Sequence, residues 1–133
     1  MTNDFLLYGS YGYTGNLIAE ESLRQGLRPL LAGRDRARLQ AQAARLHLDF
    51  RVIPLSDRSA LEETLRGVPL VVHAAGPFVL TWGNMVEACL RTKTNYIDIS
   101  GEIEEFEAIV PLDEQAKDAG IMLLPGAGFD VVP

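Results

Sequence analysis

The chain is poor in the residues that carry covalent or metal chemistry. It holds one cysteine, Cys89, among 133 residues, so no internal disulfide can form and the cytoplasm is the expected compartment. His47 and His73 lie far apart and, with one cysteine, make no metal-ligand pattern, so no metal is expected. No Gly-x-x-x-x-Gly-Lys sequence occurs, which argues against an NTPase. No apolar run approaches the length of a membrane span. The first strand is expected to begin by about Asp4, so no signal or transit peptide is expected before it. Repeats and low-complexity tracts are missing too.

Positive charge is also in short supply. The formal net charge is −6, which argues against a general nucleic-acid surface. It is unevenly spread: residues 1–67 carry nine of the twelve basic residues against eight acids, and residues 68–133 carry three against ten. An arginine-bearing first half is where a nucleotide phosphate is expected, although most of these charges read better as the solvated faces of helices 2 and 3. At 47% hydrophobic and 23% charged, the composition is that of an ordinary globular domain long enough to bury a core.

What the chain does have is alternation. Short apolar runs at Phe5–Tyr8, Pro29–Ala32, Phe50–Pro54, Leu70–Ala74, Tyr96–Ile99 and Ile121–Leu124 read as strands. Amphipathic stretches at about 15–25, 36–46, 59–66, 82–91 and 104–119 read as helices, the last interrupted by Pro111. Six strands with right-handed helical crossovers predict an α/β fold, a doubly wound parallel Rossmann sheet of order 3-2-1-4-5-6. Ligands of such a sheet sit beyond the carboxyl ends of its strands, near the switch point between strands 1 and 4.

The first of those ends is the most informative. Tyr8-Gly9-Ser10-Tyr11-Gly12-Tyr13-Thr14-Gly15 follows a strand and opens a helix. In such a corner Gly9 permits the sharp turn, Gly12 removes a side chain that would block a pyrophosphate, and Gly15 permits close packing of the helix. The helix aims free N–H groups and its positive end at the anion. After strand 2, Gly33-Arg34 stands where an NAD-preferring domain has an acid. A guanidinium there suits a 2′-phosphate, so the expected cofactor is NADP, with Arg36 and Arg38 adding to the field and Asp35 capping the next helix.

The remaining strand ends divide between chemistry and structure. Asp57 has two readings, an acceptor for the adenine amino group or a cap for the helix beginning near Arg58. In His73-Ala74-Ala75-Gly76-Pro77-Phe78, the small residues are expected to approach the diphosphate and nicotinamide ribose, with Phe78 as a wall. His73 reads as a hydrogen-bonded core or cofactor-side histidine. Asp98 and Glu102 flank the exit of strand 5, either orienting a substrate or capping a helix, and neither is assigned a catalytic role. The two lysines, Lys93 and Lys117, follow Cys89 and Asp113 by four residues, so the Tyr-x-x-x-Lys couple of short-chain dehydrogenases is absent. Cys89 falls on an apolar helix face with Met85 and Val86 and reads as a buried hydrophobe.

With these blocks in place, the sequence resembles the N-terminal NADP-binding domain of the saccharopine dehydrogenase-like oxidoreductases. The resemblance rests on the glycine loop, Leu31-Ala32-Gly33-Arg34, His73 to Phe78, Tyr96-Ile97-Asp98-Ile99-Ser100-Gly101-Glu102, and Pro125-Gly126-Ala127-Gly128-Phe129-Asp130-Val131-Val132-Pro133. Ser10 departs mildly from the alanine commoner in such loops. The resemblance implies an NADP-dependent reductase or dehydrogenase acting on a small molecule, on the enoyl-reductase-like branch rather than among enzymes of lysine metabolism. It also implies a second domain beyond the Gly-Phe-Asp-x-x-Pro block, so that 1–133 reads as the Rossmann part of a longer two-domain protein, inactive alone. A homodimer is left open. Two alternatives stand beside this reading: a non-enzymatic NADP-sensing module, and a binder of another nucleotide.

Overall fold

In a computed structural model that describes residues 2–128, thirteen elements alternate as the sequence pattern requires. The strands are β1 (Phe5–Tyr8), β2 (Pro29–Gly33), β3 (Phe50–Val52), β4 (Leu70–His73), β5 (Asn95–Asp98) and β6 (Leu123–Leu124). The helices are α1 (Tyr13–Arg24), α2 (Arg36–Leu46), α3 (Arg58–Leu65), α4 (Phe78–Thr92), α5 (Ile103–Ile109) and α6 (Asp113–Ala119). All strands are parallel, in the order β3-β2-β1-β4-β5-β6. The doubly wound Rossmann sheet expected from the alternation is therefore the observed fold.

β1 lies at the centre, paired with β2 through Leu6 and Leu30 and with β4 through Leu6 and Val71. All four of its residues are buried, since helices cover both faces of the sheet. Leu6 and Tyr8 enter one core layer with Leu61, Leu65, Met85 and Cys89 from α3 and α4. Phe5 and Leu7 enter the other with Ala19 of α1 and Leu39 and Ala43 of α2. Truncating a fully buried leucine such as Leu6 or Leu31 to alanine costs ~2–5 kcal/mol. Trp82, the single tryptophan, is half-buried against the α3–α4 layer.

Most boundaries agree with the pattern, and the departures have local causes. β3 stops at Val52 because Pro54 has no N–H to continue a ladder. β6 begins only at Leu123, because the Ile121 N–H is spent on the Ala116 carbonyl at the end of α6. Pro111 falls in a short 3-10 turn over Val110–Leu112 that separates α5 from α6. α4 starts at Phe78, four residues earlier than its apolar pattern suggests. Of the Pro125–Pro133 block, Phe129, Asp130, Val131, Val132 and Pro133 lie outside the described residues. Among the described residues no helix is long and apolar enough to cross a membrane.

Candidate functional site

The carboxyl ends of β1, β2, β3 and β4 open onto one groove of about 390 Å³. Gly9, Tyr11, Gly33, Arg34, Ser56, Ala75, Gly76 and Pro77 are among its lining residues. Four segments that are distant in sequence thus meet at the switch point of the sheet, where doubly wound folds place their ligands.

The three glycines of the loop do different work. Gly9 has φ +83, and a Cβ there would lie 2.8 Å from the backbone of Ala74 and Ala75. A Cβ on Gly15 would lie 2.2 Å from the Gly9 carbonyl oxygen, so α1 packs against the loop itself at a distance only glycine allows. Gly12 is unlike both: a Cβ there would meet nothing closer than the Gly9 oxygen at 3.6 Å. Gly9 and Gly15 are required by the chain's own packing, whereas Gly12 leaves space that the chain does not fill. Tyr13 and Thr14 are exposed at the start of α1.

Ser10 is fully buried and is tied to a residue the sequence reading passed over. Its hydroxyl donates to Gln42 Oε1 at 2.8 Å, and Gln42 Nε2 donates to the Ser10 carbonyl at 2.7 Å. Gln42 Nε2 also reaches Asn16 Oδ1 at 3.1 Å, so α2 holds both the loop and the first part of α1. The signal was available: Gln42 is a polar residue on the apolar stripe formed by Leu39, Ala43 and Leu46 of α2.

Beyond Ser10, the Tyr11 ring lies over Gly33, where a Cβ would come within 2.6 Å of Tyr11 Cε2. Its hydroxyl accepts the Asp35 N–H at 3.2 Å, and the Arg38 guanidinium sits 4.9 Å from the ring centroid. Asp35 is committed to the Arg38 N–H as cap of α2. Arg34 is exposed at the groove and makes no salt bridge among the described residues. Asp57 caps α3 through the Ala60 N–H at 3.2 Å, while its neighbour Ser56 lines the groove.

At the end of β4, Ala74 and Ala75 lie under Gly9, and the Gly76–Pro77 peptide is cis. Phe78 does not wall the groove. It is the first residue of α4 and turns inward, edge-on to the His73 ring at 5.3 Å, leaving Leu80 and Thr81 to line the groove. Thr81 Oγ1 donates to the Ala75 carbonyl at 2.8 Å and therefore accepts from His73 Nε2 at 2.9 Å. His73 is fully buried, its Nδ1 has no hydrogen-bond partner among the described residues, and burial pushes its pKa down to about 4, so the ring is neutral.

The acids after β5 form a second, buried assembly. Asp98 accepts the Tyr96 hydroxyl on one oxygen, and the N–H groups of Ser100 (3.1 Å) and Gly126 (2.8 Å) on the other. Glu102 caps a helix, but not the one it precedes: its two oxygens accept the Phe78 and Val79 N–H groups of α4 at 2.7 and 3.0 Å. Glu105 is fully buried, and its carboxylate oxygens have no hydrogen-bond partner among the described residues; burial and then the Asp98 carboxylate raise its pKa to about 8.

These caps leave one helix start unlike the others. α2 and α3 are capped by Asp35 and Asp57, α4 is capped by Glu102, and α5 and α6 carry acids in their first turns. Of the six α-helices α1 to α6, α1 alone begins with neither a capping side chain nor a first-turn acid. Its free N–H groups and positive end face the unfilled space at Gly12. A cradle of that kind suits a diphosphate.

Comparison with known proteins gives a consistent picture. The family described as the saccharopine dehydrogenase NADP binding domain matches residues 5–124. The trans-acting enoyl reductase of Mycobacterium leprae is 34% identical over 138 aligned positions, which cover 98% of this chain and 33% of that protein. The human saccharopine dehydrogenase-like oxidoreductase is 25% identical over 148 positions, covering 96% and 34%. Among solved structures, the apo histidine-tagged saccharopine dehydrogenase (L-Glu forming) of Saccharomyces cerevisiae matches with TM-score 0.82 and 25% identity, over 96% of this chain and 28% of that one. The chain spans about a third of the length of the curated relatives it matches.

Proposed function

The chain belongs to the saccharopine dehydrogenase NADP-binding domain family, and on that premise we propose that its groove is the cofactor site of an NADP-dependent oxidoreductase. The observation that carries this reading is the uncapped start of α1 beside the open space at Gly12, a place at the carboxyl end of β1 prepared for a diphosphate. Gly9, Gly12 and Gly15, with Ser10, Tyr11, Tyr13 and Thr14, form the corner that receives it. Gly33 and Arg34 take the adenosine end, where the unpaired guanidinium meets a 2′-phosphate with charge-assisted hydrogen bonds. Ala74 to Pro77 form the backbone wall at the nicotinamide end, and Phe78 supports that wall from beneath. Asp57 acts by fixing α3, which leaves Ser56 to face the adenosine.

When bound, the nicotinamide supplies hydride transfer, and the protein supplies orientation. Tyr11 holds the Gly33–Asp35 turn in place, and Thr81 fixes the Ala75 carbonyl at the other end. The relatives are about three times as long, which supports placing the substrate-binding part in a further domain, with 1–133 as the Rossmann domain. The substrate is then a small organic molecule gripped mainly by that further domain. A cytoplasmic setting agrees with the single, buried and unpaired Cys89.

Calorimetric titration of the chain and of Arg34→Ala with NADPH and NADH tests the reading. NADPH is expected to bind more tightly than NADH, and the substitution to weaken NADPH about ten- to hundredfold with little change for NADH. Equal wild-type affinity for the two cofactors would defeat the assignment of Arg34.

A further inference from the structure

We propose that Glu102 is the positioning residue for the nicotinamide end of the groove, setting from a neighbouring strand the place of the Ala75–Phe78 turn; this rests on the reading of the groove as an NADP site. The turn runs directly into α4, whose N-cap is Pro77. Proline offers no side-chain acceptor, so the first N–H groups of α4 have no local partner. Glu102 lies in the segment between β5 and α5 and supplies both of its oxygens to them, one each to Phe78 and Val79. Bonds from backbone N–H to a carboxylate are stronger than neutral ones.

The carboxylate is itself held. The Glu102 N–H donates to Ser100 Oγ at 2.9 Å, the Ser100 N–H donates to Asp98, and Asp98 is fixed by the Tyr96 hydroxyl. Ser100 and Asp98 are fully buried. A continuous line of hydrogen bonds thus runs from β5 to the outer side of the turn. On its other sides the turn is held by contact with Gly9 and by the Thr81 hydroxyl. Glu102 is the clamp that comes from the segment after β5. An ordinary N-cap would serve α4 alone. This one ties a groove wall to a strand that contributes none of the groove's lining residues.

The consequence is a lopsided dependence of binding on Glu102. Ala75, Gly76 and Pro77 border one end of the groove, while Tyr11, Gly33 and Arg34 border the end fixed by α2. Loss of Glu102 should loosen the first end and spare the second. The test is calorimetry of wild type, Glu102→Ala and Glu102→Gln with NADPH and with 2′,5′-ADP, which lacks the nicotinamide half, alongside thermal melts. Glu102→Ala is expected to weaken NADPH about tenfold and to leave 2′,5′-ADP within about twofold. Glu102→Gln keeps one acceptor oxygen and is expected to fall between, which gives a reading even if the alanine variant folds poorly. Equal losses for the two ligands, or no loss for NADPH, would overturn the role of Glu102 while leaving the cofactor site standing. A wild-type chain that binds neither ligand would remove the site and the proposal together.

Discussion

Ser10 and Gln42 exchange two buried hydrogen bonds across the space between the glycine loop and α2, hydroxyl to amide oxygen and amide nitrogen to carbonyl. Removing the glutamine strands both polar groups of Ser10 away from water. Gln42→Ala is expected to cost ~1–3 kcal/mol in urea denaturation. Ser10→Ala should cost less, because the Ser10 carbonyl keeps its partner. The double variant should show a coupling of ~0.5–3 kcal/mol, and additive losses would mean that the pair does not act as a unit.

Gly12 and Gly15 are expected to separate ligand binding from folding. Gly12→Ala adds a methyl group to open space at a residue with ordinary extended backbone, so stability should change by less than about 1 kcal/mol while NADPH affinity falls. Gly15→Ala forces a methyl group against the Gly9 carbonyl and should destabilise the fold by about 1–3 kcal/mol. Paired melts and titrations of the two variants check this. A Gly12→Ala protein that binds NADPH as wild type does would rule out a diphosphate at that spot.

Glu105 and His73 give stability opposite slopes with pH. The Glu105 pKa rises from its ordinary 4.5 to about 8 on folding, so its contribution is complete below 4.5 and is lost as pH rises through about 8. The His73 pKa falls from 6.5 to about 4, so its contribution is complete above 6.5 and is lost as pH falls through about 4. The two oppose each other in the overlap. Between about 6.5 and 8 only the Glu105 contribution of the two still changes, and stability should decline. Glu105→Gln removes the titration but keeps the shape, so its denaturation midpoints should stay flat across that range and exceed wild type at the alkaline end. Parallel pH profiles for the two proteins would refute the assignment. Asp98, Tyr96 and Glu102 surround the same site, so the Glu105 transition is that of a group, not of an isolated carboxyl.

Cys89 is fully buried in α4, and burial pushes its pKa up to about 12. Folded protein at neutral pH should resist thiol reagents, and labelling should become prompt only in denaturant. Fast labelling of the folded chain would contradict the core position.

The strands and their order were legible because every crossover leaves an apolar run followed by an amphipathic one, and parallel connections have one hand. The glycine loop was legible as a motif, down to the open side at Gly12 and the close helix packing at Gly15; what the motif does not show is that Gly15 packs against the Gly9 carbonyl of the loop itself. The start of α4 was not legible, since its cap, Glu102, arrives from 24 residues away in sequence. That early start turns Phe78 into the core. Glu105 was hidden among the exposed acids Glu104 and Glu107, although its spacing of four from the buried Ile109 places it on the inner face of α5. Gln42 was missed for a related reason: a periodic pattern marks which face is inside, and says little about a polar group that finds its partner there.

Trp82 stands one residue from Thr81 and two from Leu80, both of which line the groove, and the chain has no other tryptophan. Its emission therefore comes from a single place on the groove's own helix. A reduced nicotinamide absorbs in the range where indole emits, so a bound dinucleotide would quench this fluorescence by energy transfer. On the proposed reading of the groove, Trp82 would serve as a built-in optical gauge of its occupancy, without any label.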